Sequence, residues 1–173
     1  LNKNSIYLLG TPALEEDFIS KGFVLTDKNP DAVVVGFDTT VTYEKLEKAC
    51  TLIRNGVPFI ATHLDNNCPT ENGPIPDCGA ICAFITQSTG VKPKYLGKPF
   101  KETLDFITNY LNCTKDELVF VGDRLYTDIA IGANNGATSV LVLTGETRLE
   151  DLDHSDVQPE IIVERLVDLA DCF

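Results

Sequence analysis

Short apolar runs rich in β-branched residues alternate along the chain with longer segments whose apolar residues recur every three or four positions. The short runs predict buried strands of a parallel sheet, and the longer segments predict amphipathic helices. The predicted strands cover residues 5–9, 23–25, 32–36, 58–61, 118–121, 139–143 and 161–163. Such an alternation of strand and helix is typical of a layered α/β protein.

Capping residues mark the ends of two predicted helices. A helix over residues 42–55 ends at Gly56, which suits the C′ position after a helix. Asp77 is placed to cap a second helix over residues 78–89, and Gly90 is placed to end it. These boundaries support the α/β assignment because strands precede and follow both helices.

The stretch LVFVGDRLYTDIAIGANNGATSVLVLT, residues 118–144, predicts a strand, a helix and a second strand in close succession. This is a βαβ unit, and ligands of such units lie beyond the carboxyl ends of the strands. Asp123 directly follows the first strand, and Asp128 falls near the start of the helix. Two carboxylates converging there would form the hard oxygen site that Mg²⁺ prefers. Taken singly, either residue is more commonly a helix cap or a charge that complements the helix dipole.

Lys98, like Asp123, lies at a predicted junction between a strand and a helix. A short strand ends in Gly97-Lys98, and Pro99 is predicted to start a helix that continues over residues 100–111. An ammonium group at this junction could neutralise a phosphate or a carboxylate, although a lysine there could equally be a solvated surface residue.

Residues 63–77, HLDNNCPTENGPIPD, predict a long polar loop that leaves the end of a strand. Long loops at strand ends often bind ligands, and the alternative is a solvated connection without further function. A change of domain is expected shortly after the next helix, near residues 91–97.

Composition narrows the range of functions. The formal net charge of −12 argues against binding to nucleic acid or to an anionic membrane surface. No apolar run approaches the ~20 residues of a membrane-spanning helix, and no signal peptide is visible. The six cysteines are irregularly spaced without a C-x-x-C pair, which indicates reduced thiols. These features predict a cytoplasmic protein.

The segment GKP, which contains Lys98, and the segment GDRLYTDI, which contains Asp123 and Asp128, together resemble motifs of the haloacid dehalogenase (HAD) superfamily of phosphohydrolases. The loop ATHLDNNCPTENG and the following CGAICAFI resemble the cap of its NagD and nitrophenylphosphatase branch. The resemblance covers nearly the whole chain. It implies that residues 1–95 form an inserted α/β cap domain that selects substrate. Residues 96–173 would form the C-terminal half of a Rossmann-like core.

The resemblance also implies a role for each site residue. Asp123 would ligate Mg²⁺, and Asp128 would ligate it through water or hold the geometry of the site. Lys98 would pair with the nucleophile and with the phosphoryl oxygens of the substrate. The residues implied to bind substrate on the cap loop are His63, Asp65, Asn66 and Asn67.

The chain departs from the family pattern at its beginning. The family's nucleophile is an Asp in an N-terminal D-x-D-G motif, and a Thr or Ser after the next strand forms its second motif. Neither motif occurs in the 173 residues, which contain no Met and begin with Leu1. We therefore expect a fragment that is inactive alone. Its apolar strand faces would need a partner, either a second copy of the chain or its own missing N-terminal segment.

Two functions remain open from the sequence. The first is Mg²⁺-dependent hydrolysis of a small phosphorylated metabolite, of the sugar phosphate or nitrophenyl phosphate type. The second is a non-catalytic α/β module that binds an anionic metabolite or a protein partner, and the missing nucleophile motif motivates it. A D-x-D-G motif encoded upstream of Leu1 would favour the phosphatase.

Overall fold

The computed structural model describes residues 4–172, and the side chains of residues 4–170. The chain divides into two compact units, Leu1–Leu96 and Gly97–Phe173, which we call the first and second units. Each contains a parallel sheet with helices, which confirms the predicted α/β fold class. Among the described residues, no helix is both long enough and apolar enough to cross a bilayer.

The first unit is built around a parallel sheet with the strand order β2-β1-β3-β4-β7, and it also carries a small antiparallel hairpin of β5 and β6. Its elements are β1 (Ser5–Leu9), α1 (Pro12–Ser20), β2 (Val24–Leu25), β3 (Ala32–Val35), α2 (Tyr43–Arg54), β4 (Phe59–Ala61), β5 (Asn67–Cys68), β6 (Ile75–Pro76), α3 (Cys78–Thr89) and β7 (Lys94–Tyr95).

Helices cover both faces of this sheet. Leu8 and Val34 point to the face that packs against α1, whereas Val33 and Val35 point to the face that packs against α2 and α3. All four residues of β3 are buried, which explains why this strand is a continuous apolar run rather than an alternating one.

The predicted helix boundaries in the first unit are confirmed. Gly56 follows α2 with φ +88°, and Gly90 ends α3 with φ +75°, both in the left-handed region that glycine adopts without strain. The side chain of Asp77 caps α3 by accepting a hydrogen bond from the backbone N–H of Cys78.

The second unit contains the predicted βαβ unit. Its elements are α4 (Lys101–Leu111), β8 (Val119–Gly122), a π-helical turn (Leu125–Ile129), α5 (Ala130–Ala133), β9 (Thr138–Val142) and β10 (Ile161–Val163). The strands pair in parallel in the order β10-β9-β8. Short 3₁₀ helices cover Lys115–Glu117, Leu149–His154 and Leu166–Cys172.

Three details differ from the sequence-based expectations. Strand β8 is not buried on both faces, because Val119 is 49% and Val121 41% exposed. The loop of residues 63–77 is not wholly irregular, since it contains the β5–β6 hairpin. The helix expected from Pro99 begins two residues later, at Lys101. Coverage of the exposed β8 face by a second copy or another segment stays a prediction.

Candidate active site

Asp128 lies on the π-helical turn that follows β8. Its Oδ1 accepts a hydrogen bond from the ammonium of Lys98, and its Oδ2 accepts one from the backbone N–H of Arg124 at 3.3 Å. Its side chain packs so closely over Gly122 that a Cβ at that position would overlap it. A glycine at the end of β8 therefore allows the carboxylate of Asp128 to reach the end of the strand.

Asp123 is anchored by the loop that follows β9. Its Oδ2 accepts a hydrogen bond from the backbone N–H of Glu146 at 2.7 Å, and its carbonyl oxygen accepts one from the N–H of Thr147 at 3.2 Å. A Cβ at Gly145 would overlap the Asp123 carboxylate. The carboxylate is thus fixed by backbone contacts and is not used as a helix cap.

Lys98 stands in the turn between Gly97 and α4. The carbonyl of Gly97 accepts hydrogen bonds from the hydroxyl of Thr103 at 2.7 Å and from the N–H of Phe100 at 3.0 Å, which holds the turn in place. The side chain of Lys98 is 50% exposed and that of Asp128 is 13% exposed. An ion pair with one exposed partner contributes at most about 1 kcal/mol to stability, so its main consequence is a positive charge held at the strand end.

The donor set at the end of β8 fits a magnesium ion. Mg²⁺ in proteins keeps several water ligands and is commonly held by one or two carboxylates together with substrate phosphate oxygens. Asp123 and Asp128 supply two carboxylates there, and no group of three or more His, Cys, Asp or Glu metal ligands occurs among residues 4–172. Binding of a hydrated divalent cation by these two carboxylates, and of an anion by the Lys98 ammonium, stays a prediction.

The other predicted residues lie in the first unit. The imidazole of His63 bridges two elements, since its Nε2 lies 2.9 Å from Oδ1 of Asp77 and its Nδ1 lies 2.8 Å from the hydroxyl of Thr62. A carboxylate only accepts hydrogen bonds, so in the neutral imidazole Nε2 carries the proton and Nδ1 accepts from Thr62. The contact ties the end of β4 to the start of α3.

Asp65 and Asn66, on the loop after this histidine, are held by their backbones. The carbonyl of Asp65 accepts a hydrogen bond from the N–H of Gly79 at 2.8 Å, and that of Asn66 accepts one from the N–H of Asp77 at 2.9 Å. The side chains of Asn66 and Asn67 are exposed. A loop with a fixed backbone and exposed amide side chains is suited to recognising a ligand.

Beneath the same loop, Cys78 and Cys82 lie one turn apart on the same face of α3. Their sulfur atoms lie 4.0 Å apart, and both thiols are buried. The hydrogen bond from Cys82 lowers the pKa of Cys78 to about 7, against the effect of burial, and the same contact raises the pKa of Cys82 above its usual range. Because both thiols are buried in the core of the first unit, we interpret them as packing residues.

Sequence reasoning missed a cavity of about 550 Å³ in the first unit. It is lined in part by Thr11, Phe37, Thr62 and His63, which follow β1, β3 and β4. Because strands β1 and β3 are neighbours that lead to opposite sides of the sheet, their carboxyl ends form the crevice where α/β sheets commonly bind ligands. The position of this cavity follows from the strand order, which cannot be read from the sequence.

Sequence reasoning also missed three residues that surround the two carboxylates of the second unit, namely Arg124, Gly145 and Glu146. The sequence contains only a weak indication of these residues, namely that Gly145 comes shortly after a predicted strand end. The predicted residues thus fall into two sets. Lys98, Asp123 and Asp128 belong to the second unit, whereas His63 and residues 65–67 belong to the first.

Comparison with known proteins relates this chain to phosphatases. Residues 95–169 match the family model described as HAD-hydrolase-like. An acid sugar phosphatase of Staphylococcus aureus is 40% identical over 90% of this chain and 60% of its own length. The chain thus spans less than two thirds of the length of this relative.

Solved structures extend the similarity to three dimensions. The 4-nitrophenylphosphatase of Thermotoga maritima superimposes with a TM-score of 0.93 at 48% identity, covering 99% of this chain and 66% of that protein. NagD of E. coli K-12 superimposes with a TM-score of 0.86 at 35% identity, covering 95% of this chain and 65% of that protein. The chain therefore belongs to the haloacid dehalogenase superfamily and, within it, to the NagD-like phosphatases.

Proposed function

We propose that this protein contributes to a Mg²⁺-dependent phosphomonoesterase that acts on small phosphorylated metabolites. The observation that carries the proposal is the group at the end of β8, where Lys98 binds Asp128 and a backbone loop anchors Asp123. The similarity to an acid sugar phosphatase and a 4-nitrophenylphosphatase supports the same class of reaction.

The second unit supplies charge stabilisation. Asp123 and Asp128 would hold the cation, which when bound neutralises negative charge on the phosphoryl oxygens. The Lys98 ammonium, half exposed while bound to Asp128, would donate to a phosphoryl oxygen as charge develops there. Each role uses a group that the contacts described above hold in place.

The attacking carboxylate is a separate requirement. The family's D-x-D-G motif does not occur in the 173 residues. We propose that this chain alone does not hydrolyse phosphomonoesters at an enzymatic rate, and that the full product of its gene does. Positioning and electrostatics can leave a residual rate above solution in enzymes that lack their nucleophile.

The first unit is proposed to act as the substrate-selecting cap. The exposed amides of Asn66 and Asn67 and the ring of His63 would contact the part of the substrate that leaves with the ester oxygen. Sugar phosphates and nitrophenyl phosphate are the first substrates to test, because relatives are named for activity on them.

The test is a nitrophenyl phosphate assay with and without Mg²⁺, on the 173-residue chain of verified mass and on the full gene product. We expect turnover that chelation abolishes in the full product and near-background rates in the chain. Full turnover by the homogeneous chain would place the nucleophile within it. An inactive full product that still binds an anionic metabolite would instead favour the non-catalytic binding module.

A further inference from the structure

We propose that the ion pair between Arg124 and Glu146 is a positioning device that sets the cation affinity of Asp123. The inference rests on the proposed function, since it concerns the same cation site. Neither Arg124 nor Glu146 is proposed to touch the cation or the substrate. They would act through the backbone group that holds the Asp123 carboxylate.

The pair closes a ring of contacts around the end of β8. Arg124 Nε donates a hydrogen bond to Oε2 of Glu146 at 2.8 Å, and the backbone N–H of Glu146 donates to Oδ2 of Asp123 at 2.7 Å. The backbone N–H of Arg124 donates to Oδ2 of Asp128 at 3.3 Å. Since Asp123 and Arg124 are consecutive, the ring links both carboxylates to the Gly145–Thr147 loop.

Two backbone hydrogen bonds, from Glu146 to the carboxylate and from Thr147 to the carbonyl oxygen, join this loop to Asp123. Gly145 and Glu146 are exposed, and only Thr147 is buried. The N–H of Glu146 can hold the Asp123 carboxylate only while the loop stays close to β8. The Arg124 side chain, 18% exposed, supplies a fixed point to which the Glu146 side chain binds. Loss of the pair should therefore loosen the Asp123 carboxylate without removing any proposed ligand.

A purely electrostatic role makes a different prediction. Removing the Glu146 carboxylate would remove a negative charge beside Arg124 and so weaken binding of the cation. Removing the Arg124 guanidinium would leave the negative charge of Glu146 and strengthen cation binding. A positioning role predicts that either loss weakens binding, and that the double variant is little worse than either single variant.

The experiment measures Mn²⁺ affinity directly, by titration with electron paramagnetic resonance of the free ion, on the chain of residues 1–173. The variants are Glu146→Ala, Glu146→Gln, Arg124→Met and the Arg124→Met/Glu146→Ala double variant. Asp123→Asn tests the site itself. Arg165→Met is the matched control, because it breaks an exposed Arg–Asp pair of the same unit that lies outside the ring.

We expect Glu146→Ala and Arg124→Met each to weaken Mn²⁺ binding by about 10-fold, as loss of an outer-shell partner commonly does. Glu146→Gln retains an acceptor for Arg124 and should restore most of the affinity, which a general loss of stability would not explain. Arg165→Met should match the wild type.

Two sets of results would overturn the proposal, and they are distinguishable. If Asp123→Asn abolishes binding but Glu146→Ala or Arg124→Met binds Mn²⁺ as well as or better than the wild type, the cation site stands and the positioning role is wrong. If Asp123→Asn binds as the wild type does, or if no protein binds Mn²⁺, the proposed cation site fails and this inference fails with it.

Discussion

The ammonium of Lys98 donates a hydrogen bond to the carboxylate of Asp128 across a separation of 30 residues in the chain. Lys98 precedes α4, whereas Asp128 follows β8, so the contact joins two segments that are distant in the chain. The ion pair places a positive charge beside a carboxylate that follows β8. These are the two kinds of group that the proposed function assigns to a phosphoryl dianion and a divalent cation.

Lys98→Met in the full gene product should lower kcat/KM for nitrophenyl phosphate by about 100-fold or more, as loss of a charge-stabilising donor commonly does. Thermal stability should change little, because a half-exposed ion pair contributes at most about 1 kcal/mol. Lys101→Met is the matched control, since it removes the exposed pair with Asp105 and should leave activity intact. Equal activity of the Lys98 and Lys101 variants would exclude a catalytic role for Lys98.

Gly145→Ala should weaken binding of Mg²⁺, because the added Cβ would displace the Asp123 carboxylate. The measurement is the rise in melting temperature on adding Mg²⁺, which grows with ligand concentration relative to Kd. Gly132→Ala serves as control, since its Cβ would meet the carbonyl of Ala137 at 2.9 Å and strain the fold away from the site. An unchanged Mg²⁺ response in Gly145→Ala would contradict the assignment of Asp123 as a ligand.

Asp77→Ala should reduce the free energy of unfolding by about 1–2 kcal/mol, because it removes the cap of α3. It should also release His63, whose Nε2 binds the same carboxylate oxygen, and raise amide hydrogen exchange in residues 63–77. Thr42→Ala removes the cap of α2 and should cost a similar free energy without affecting that loop. Equal exchange in the two variants would show that Asp77 acts only as a cap.

Asn67→Ala should change the ratio of kcat/KM between a sugar phosphate and nitrophenyl phosphate while leaving Mg²⁺ affinity unaltered. Asn67 is exposed on β5, and its side chain is proposed to contact the leaving group. Asn72→Ala, in the turn of the same hairpin, is the control and should leave the ratio unchanged. A uniform loss for both substrates would indicate a folding defect rather than a role in selectivity.

Local chemistry allowed much of the fold to be predicted from the sequence. The cap and the terminating glycine of α2 and α3 depend on residues within one helix turn, so Gly56, Asp77 and Gly90 could be identified by type and spacing. The βαβ unit and the position of Asp123 at a strand end could be predicted from an apolar run and the Gly-Asp pair that ends it. Short-range backbone preferences and hydrophobic periodicity determine these features.

Contacts between distant segments were decided only in the tertiary structure. The pairing of Glu146 with Arg124 and Asp123, the role of Gly145 and the cavity beside Phe37 all depend on which strand ends become neighbours. The exposure of Val119 and Val121 likewise depends on which elements pair with and pack against β8. The same run of apolar residues is compatible with a buried strand or with an edge strand. Strand order and loop approach are set by the packing of whole layers, which no local pattern specifies.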